Sequence, residues 1–87
     1  LRLSVLENPD GGGTRFGFIT SKRVGGAVQR NRVRRRLREI CRLERSAIPP
    51  GWLVVTVAKS SAAQAGYAEL REEWLLLARR LSILPRS

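Results

Sequence analysis

Ser21-Lys22-Arg23-Val24-Gly25-Gly26-Ala27-Val28-Gln29-Arg30-Asn31-Arg32-Val33-Arg34-Arg35-Arg36-Leu37-Arg38-Glu39 is the stretch on which the reading of this 87-residue chain turns. Gly25-Gly26 breaks whatever precedes it, and a helical pattern follows. Val33, Leu37, Ile40 and Cys41 stand at i, i+4, i+7 and i+8, one apolar stripe at the period of an α-helix. Pro49-Pro50-Gly51 sets the latest point at which that helix can end.

Upstream, Leu1 to Leu6 alternates, with Leu1, Leu3 and Val5 on one face and Arg2 and Ser4 on the other, which predicts a strand. Asn8-Pro9-Asp10-Gly11-Gly12-Gly13 is a turn signal. Arg15 to Ser21 reads as a returning strand with Phe16 and Phe18 on one face and Gly17, Ile19 and Ser21 on the other. The two are expected to pair as an antiparallel hairpin. Downstream, Trp52 to Ala58 is a continuous apolar, β-branched run that suits a central buried strand. After a Ser/Ala/Gly linker, Tyr67, Leu70, Trp74, Leu77 and Leu81 mark a second helix, with Glu69, Glu72 and Glu73 early and Arg79 and Arg80 late, as the helix dipole favours. The expectation is an α+β domain over 1–87, strand-strand-helix-strand-helix, with a mainly antiparallel sheet and no repeats.

Charge is concentrated. The chain carries 17 basic and 7 acidic residues, a formal net charge of +10. Between Lys22 and Arg45 lie ten basic residues and two acids, Glu39 and Glu44, so this segment alone holds 10 − 2 = +8. On a helical wheel Arg34, Arg38, Arg42 and Arg45 form a stripe beside the apolar one, Asn31 and Arg35 adjoin it, and Arg32 and Arg36 widen the arc toward the opposite flank. A solvated face normally mixes signs, because like charges at i, i+4 repel. Here almost nothing offsets the repulsion, which points to a polyanionic partner. The apolar stripe is too narrow for a basic membrane helix. Arg30 falls at the edge of that stripe, and two readings stay open: a guanidinium snorkelling from the helix start, or one aimed into a groove between helix and sheet.

The residues also limit the chemistry. There is no His, one Cys and one Asp, Asp10, in the Gly-rich turn. A nuclease acting alone needs paired carboxylates for two metals, or a His base. Glu69 and Glu73 share a helix face, but a solvated first turn accounts for them. Cys41, Trp52 and Trp74 read as core. No catalytic residue, metal ligand or tightly bound cofactor of the protein itself is expected. The apolar runs are too short to span a bilayer, and Leu1 to Leu6 lacks the apolar region of a signal peptide, so the expectation is a soluble cytoplasmic protein. The sequence does not start with Met and is expected to begin inside a longer natural chain.

The run from Ser21 to Glu39 resembles the signature of the bacterial ribonuclease P protein family. There a strand ends in Ser-Lys-Lys/Arg, passes through Val-Gly-x-Ala-Val, and enters a helix carrying Arg-Asn-Arg and further basic residues. The resemblance extends along the chain, through the strand at Trp52 to Ala58 and the Tyr67-x-Glu69-Leu70 opening of the last helix. It implies an α+β fold with a left-handed β-α-β crossover at the basic helix, against the usual right-handed rule. It also implies a role: assisting endonucleolytic removal of the 5′ leader from precursor tRNA, in a ribonucleoprotein whose RNA subunit binds the required Mg²⁺ and carries the chemistry. Ribonuclease P RNA and precursor tRNA are the partners so implied, with no membrane. Carried over by position, Lys22, Arg23, Arg30, Asn31, Arg32, Arg34, Arg35 and Arg38 would bind RNA. Arg30 and Asn31, with Ser4 and Arg2 of the first strand, would face the leader. The family has a helix before the first strand, with aromatic residues toward the leader, that this sequence lacks; Ser4 stands where an aromatic is common. Without the resemblance, a DNA-binding or ribosomal-RNA-binding module would fit the composition as well.

Overall fold

The computed structural model describes residues 1–84. Three strands, β1 (Arg2–Glu7), β2 (Arg15–Thr20) and β3 (Trp52–Ala58), form one sheet, and two helices, α1 (Ala27–Glu44) and α2 (Tyr67–Arg80), cover one of its faces. Single 3-10 turns sit at Lys22–Val24, Arg45–Ala47 and Ser60–Ala63. The last three residues of the expected 1–87 domain lie outside the described residues. No described helix is long and apolar enough to cross a membrane.

The α+β class and the element order are as the sequence predicts, but the expected hairpin does not form. The strand order is β1-β3-β2. β3 pairs antiparallel with β1 (Leu3 opposite Thr56, Val5 opposite Val54) and parallel with β2 (Phe16 beside Val54, Phe18 beside Thr56). The sheet is therefore mixed. β3 is the most continuously apolar strand, and the central position buries Val54, Thr56 and Ala58 while satisfying both of its hydrogen-bonding edges. The half-polar strands take the edges. The seven residues 8–14 between β1 and β2 exceed the two to five or so usual in a hairpin and arch over the end of β3 instead. Asn8 N–H donates to Gly51 O at 2.9 Å, and Thr14 Oγ1 donates to Pro49 O at 2.6 Å while accepting from Trp52 N–H at 3.2 Å. Both arms of the arch are thus fastened to the entrance of β3. Gly11 and Gly12, at φ +68° and +76°, supply the left-handed turn residues.

The core lies between the sheet and the helices. The predicted stripe Val33, Leu37, Ile40 and Cys41 is the buried face of α1, and it packs with Leu3, Val54, Leu70, Trp74 and Ala78. Trp74, fully buried, donates its indole N–H to Thr56 Oγ1 at 3.1 Å, so the one buried polar side chain of β3 is satisfied by the largest residue of α2. Glu69 accepts the Gly66 N–H at 3.4 Å and closes the first turn of α2. The opposite face of the sheet is open and carries Arg2, Ser4 and Leu6 from β1, Leu53, Val55 and Val57 from β3, and Arg15, Gly17 and Ile19 from β2.

Candidate nucleic-acid interface

The basic residues sort into two sets by what holds them. Val24 is 3% exposed and anchors the turn ahead of α1, while Lys22 and Arg23 just before it are exposed. Gly25, at φ +141°, turns the chain into the helix. A Cβ there would meet Gln29 Cβ at 3.0 Å, so the glycine permits the approach as well as the dihedral. α1 then opens with no acidic residue in its first turn and no side-chain cap. Its free N–H groups add a partial positive charge to that of Lys22, Arg23 and Arg30, the reverse of the charge pattern that stabilises a helix end by itself.

Along α1, Arg32, Arg35 and Arg38 are exposed and make no hydrogen bond or ion pair with other described residues. They form, with Lys22 and Arg23, the set available to a partner. Arg34, Arg36 and Arg42 are engaged. Arg34 Nε donates to Thr20 Oγ1 at 3.0 Å and Arg34 Nη1 to Asn31 Oδ1 at 3.4 Å, tying the β2 side of the helix down. Arg36 Nη1 donates to Ala65 O at 2.8 Å on the opposite flank, before α2. Arg42 forks onto Glu39 with contacts of 3.0 and 2.6 Å. That hydrogen bond holds the Glu39 carboxyl below the usual carboxylate range and raises Arg42 in turn. Arg71 reaches Glu44 at 3.3 Å and spends the second acid of the segment on α2. Arg30 is half-buried with its Nε enclosed and unpartnered, which places it against the protein rather than on the outer ridge.

The structure thus brings Asn31, Arg34 and Thr20 together and sets Lys22, Arg23, Arg32, Arg35 and Arg38 on an exposed surface. It does not bring Ser4 and Arg2 to the same place. They lie on the open face of β1, the edge strand farthest from β2, whereas Thr20 and Arg34 meet on the face that α1 covers. Thr20 was invisible to a reading based on charge; its only signal is that it follows Phe16 and Phe18 at period two, and so shares their face. Cys41 is 2% exposed and burial pushes its thiol up to about 12, against any role as a nucleophile at neutral pH. Among the described residues no group of three or more His, Cys, Asp or Glu could hold a metal ion.

The Ribonuclease P family matches residues 1–82. The chain belongs to the ribonuclease P protein family. It is 51% identical over 59 residues to the ribonuclease P protein component of Roseiflexus sp. (strain RS-1), covering 67% of this chain and 48% of that one. To that of Symbiobacterium thermophilum it is 38% identical over 82 residues, covering 94% and 71%. The chain spans about half the length of the first curated relatives it matches. Among solved structures, the ribonuclease P protein of Thermotoga maritima in complex with 1-(4-fluorophenyl)-2-thiourea superposes with a TM-score of 0.78 at 26% identity, covering 90% of this chain and 76% of that one. The Staphylococcus aureus RNase P protein superposes with a TM-score of 0.85 at 20% identity, covering 95% and 75%, a likeness of fold.

Proposed function

We propose that this ribonuclease P protein is the RNA-binding, non-catalytic subunit of a cytoplasmic ribonucleoprotein endonuclease that removes the 5′ leader of precursor tRNA. The observation that carries the reading is the surface of Lys22, Arg23, Arg32, Arg35 and Arg38, five cations with no acid to neutralise them, leading into and along one helix. Such a surface follows a phosphate backbone and contributes affinity and register, not sequence choice. Ribonuclease P RNA is the partner for it. Arg34 and Asn31 support the surface from the β2 side, and Arg30, held against the body of the protein, stands nearest the leader. Ser4 and Arg2 would meet the leader only where it passes over the open face of the sheet.

The catalytic Mg²⁺ is bound by the RNA subunit. The protein's part is to offset repulsion between two polyanions, an effect that is largest when divalent cations are scarce. Reconstitution tests this. Cleavage of precursor tRNA is measured with the protein, with bacterial ribonuclease P RNA, and with both, across a Mg²⁺ titration. The expected result is no cleavage by the protein, and a lower Mg²⁺ requirement with both than with RNA alone. Metal-dependent cleavage by repurified protein that vanishes in Glu69→Gln or Glu73→Gln would overturn the reading.

A further inference from the structure

Thr20 carries no charge and lies outside the basic helix, yet one cation of that helix is held by it. Thr20 closes β2 in parallel register with Ala58 of the central strand, on the covered face with Phe16 and Phe18. Its branched Cβ restricts χ1, so the hydroxyl has few directions open to it once the sheet has placed the backbone. Arg34 Nε donates to that hydroxyl at 3.0 Å in a part-buried setting, and Arg34 Nη1 donates to Asn31 Oδ1 at 3.4 Å. Arg30 and Arg38 stand one turn before and one turn after Arg34 on the same flank of α1. Like charges at that spacing repel, which would displace a loose guanidinium; Thr20 and Asn31 oppose this.

Arg34 differs from the other two engaged arginines of α1. Arg42 is neutralised by the Glu39 carboxylate. Arg36 is drawn to the Ala65 carbonyl on the opposite flank, toward α2. Both partners of Arg34 are neutral side-chain oxygens on the β2 side, so it keeps its whole charge while its direction is fixed. With Nε taken, the side-on fork onto a phosphate is closed and only Nη donors remain. Lys22, Arg23, Arg32, Arg35 and Arg38 are by contrast exposed and unengaged among the described residues. Mobile cations of that kind follow a phosphate chain of any shape. A fixed donor gains where the acceptor is fixed too, because the side chain then loses no rotamer freedom on binding. A flexible strand adapts to a mobile or a fixed donor alike and gains nothing from the fixing. We propose that Thr20 is a positioning residue, through which Arg34 distinguishes folded RNA, whose acceptors are held in place, from an unstructured polyanion. The inference rests on the RNA-binding reading above, and adds to it that one cation of the surface selects for the shape of the RNA.

The test sets two probes against the whole protein: bacterial ribonuclease P RNA folded in Mg²⁺, and polyuridylate, which has no fixed structure. Thr20→Val removes the acceptor and keeps the shape. It should weaken binding to ribonuclease P RNA by about two- to tenfold, the range for ordering one long side chain, and leave binding to polyuridylate unchanged. Thr20→Ser should bind both probes as the parent does. Arg34→Ala, which removes the charge itself, should weaken both, and adding Thr20→Val to it should have no further effect. A measurement on the unaltered protein needs no variant: in heteronuclear NMR spectra the Arg34 Nε–H should exchange with water more slowly than those of Arg35 and Arg38. Equal loss on both probes, parent-like binding of ribonuclease P RNA by Thr20→Val, a Thr20→Val effect that persists beside Arg34→Ala, or an Arg34 Nε–H that exchanges as fast as the others overturns the inference and leaves the RNA-binding reading standing. Failure of the unaltered protein to bind either probe overturns that reading as well.

Discussion

Arg34 donates its Nε–H to Thr20 Oγ1 at 3.0 Å, so the middle of the basic helix is fastened to the last residue of β2. Asn31, one turn earlier, accepts from Nη1 of the same guanidinium at 3.4 Å. With two of its nitrogens engaged, Arg34 is held in place instead of being a mobile side chain, and Asn31 acts as a brace for it.

Thr20→Val removes the acceptor and keeps the shape. It should lower stability by about 1 kcal/mol and weaken binding to ribonuclease P RNA a few-fold, while Thr20→Ser restores both. Denaturant melts and filter binding on the three proteins check this. A Thr20→Val protein that binds as well as the parent would show that Arg34 needs no fixing.

Arg35 and Arg36 are neighbours with opposite duties. Arg35 is exposed and unengaged, whereas Arg36 holds the Ala65 carbonyl at 2.8 Å. Arg36→Ala should cost about 1.5–3 kcal/mol of stability, in the range for a hydrogen bond to a charged group, with affinity largely kept in the protein that remains folded. Arg35→Ala should do the reverse. Matching losses in both assays for both variants would contradict the division of the cations made from their contacts.

Salt gives the number of phosphates. Contact through Lys22, Arg23, Arg32, Arg35 and Arg38 should give a slope of log K against log salt of roughly −3.5 to −4.5. Substituting any one of them by Ala should flatten the slope by about one, whereas Arg42→Ala, already neutralised by Glu39, should change it little. A slope near zero would assign the surface to something other than a polyanion.

Cys41 reports on the core. Its thiol is raised by burial to about 12, against roughly 8.5 in an unfolded chain. The folded state therefore favours the protonated thiol. That contribution to stability is complete below about pH 8.5 and is lost progressively as pH rises toward 12. Iodoacetamide at pH 8 should modify Cys41 only as fast as the protein opens, and the rate should rise steeply in mild denaturant. Rapid labelling under native conditions would mean that the core around Cys41 is accessible to reagent.

The two helices and the central strand were legible because each announces itself locally. Val33, Leu37, Ile40 and Cys41 can share a face only in a helix, and Trp52 to Ala58 is a β-branched run, apolar but for Thr56, of the kind that suits a central strand. Strand partnership is not a local property. The hairpin inference used the nearness of β1 and β2 in sequence, yet the placement of β3 at the centre of a three-stranded sheet already forbade it; two sound readings were incompatible and the long-range one prevailed. The basic site divides in the same way. Its charge was countable from composition, whereas which arginines are spent internally depends on Thr20 and Ala65, whose positions only the fold supplies. The face assigned to Ser4 and Arg2 followed from alternation and is correct; their separation from Asn31 depended on strand order.

The insertion of β3 between β1 and β2 has a consequence for biogenesis. A ribosome delivers both edge strands and the whole of α1 before Trp52 emerges, and until then neither strand has a partner. The sheet is closed by contacts between residues about forty to fifty apart, such as Leu3 with Thr56 and Phe18 with Thr56, and loop-closure entropy delays such contacts relative to helix formation. During that interval the nascent chain is a cationic helix with no sheet behind it. Folding in the cell is therefore a race between the arrival of the third strand and capture of the basic segment by whatever RNA is nearest, and a polyanion present during refolding should shift the outcome.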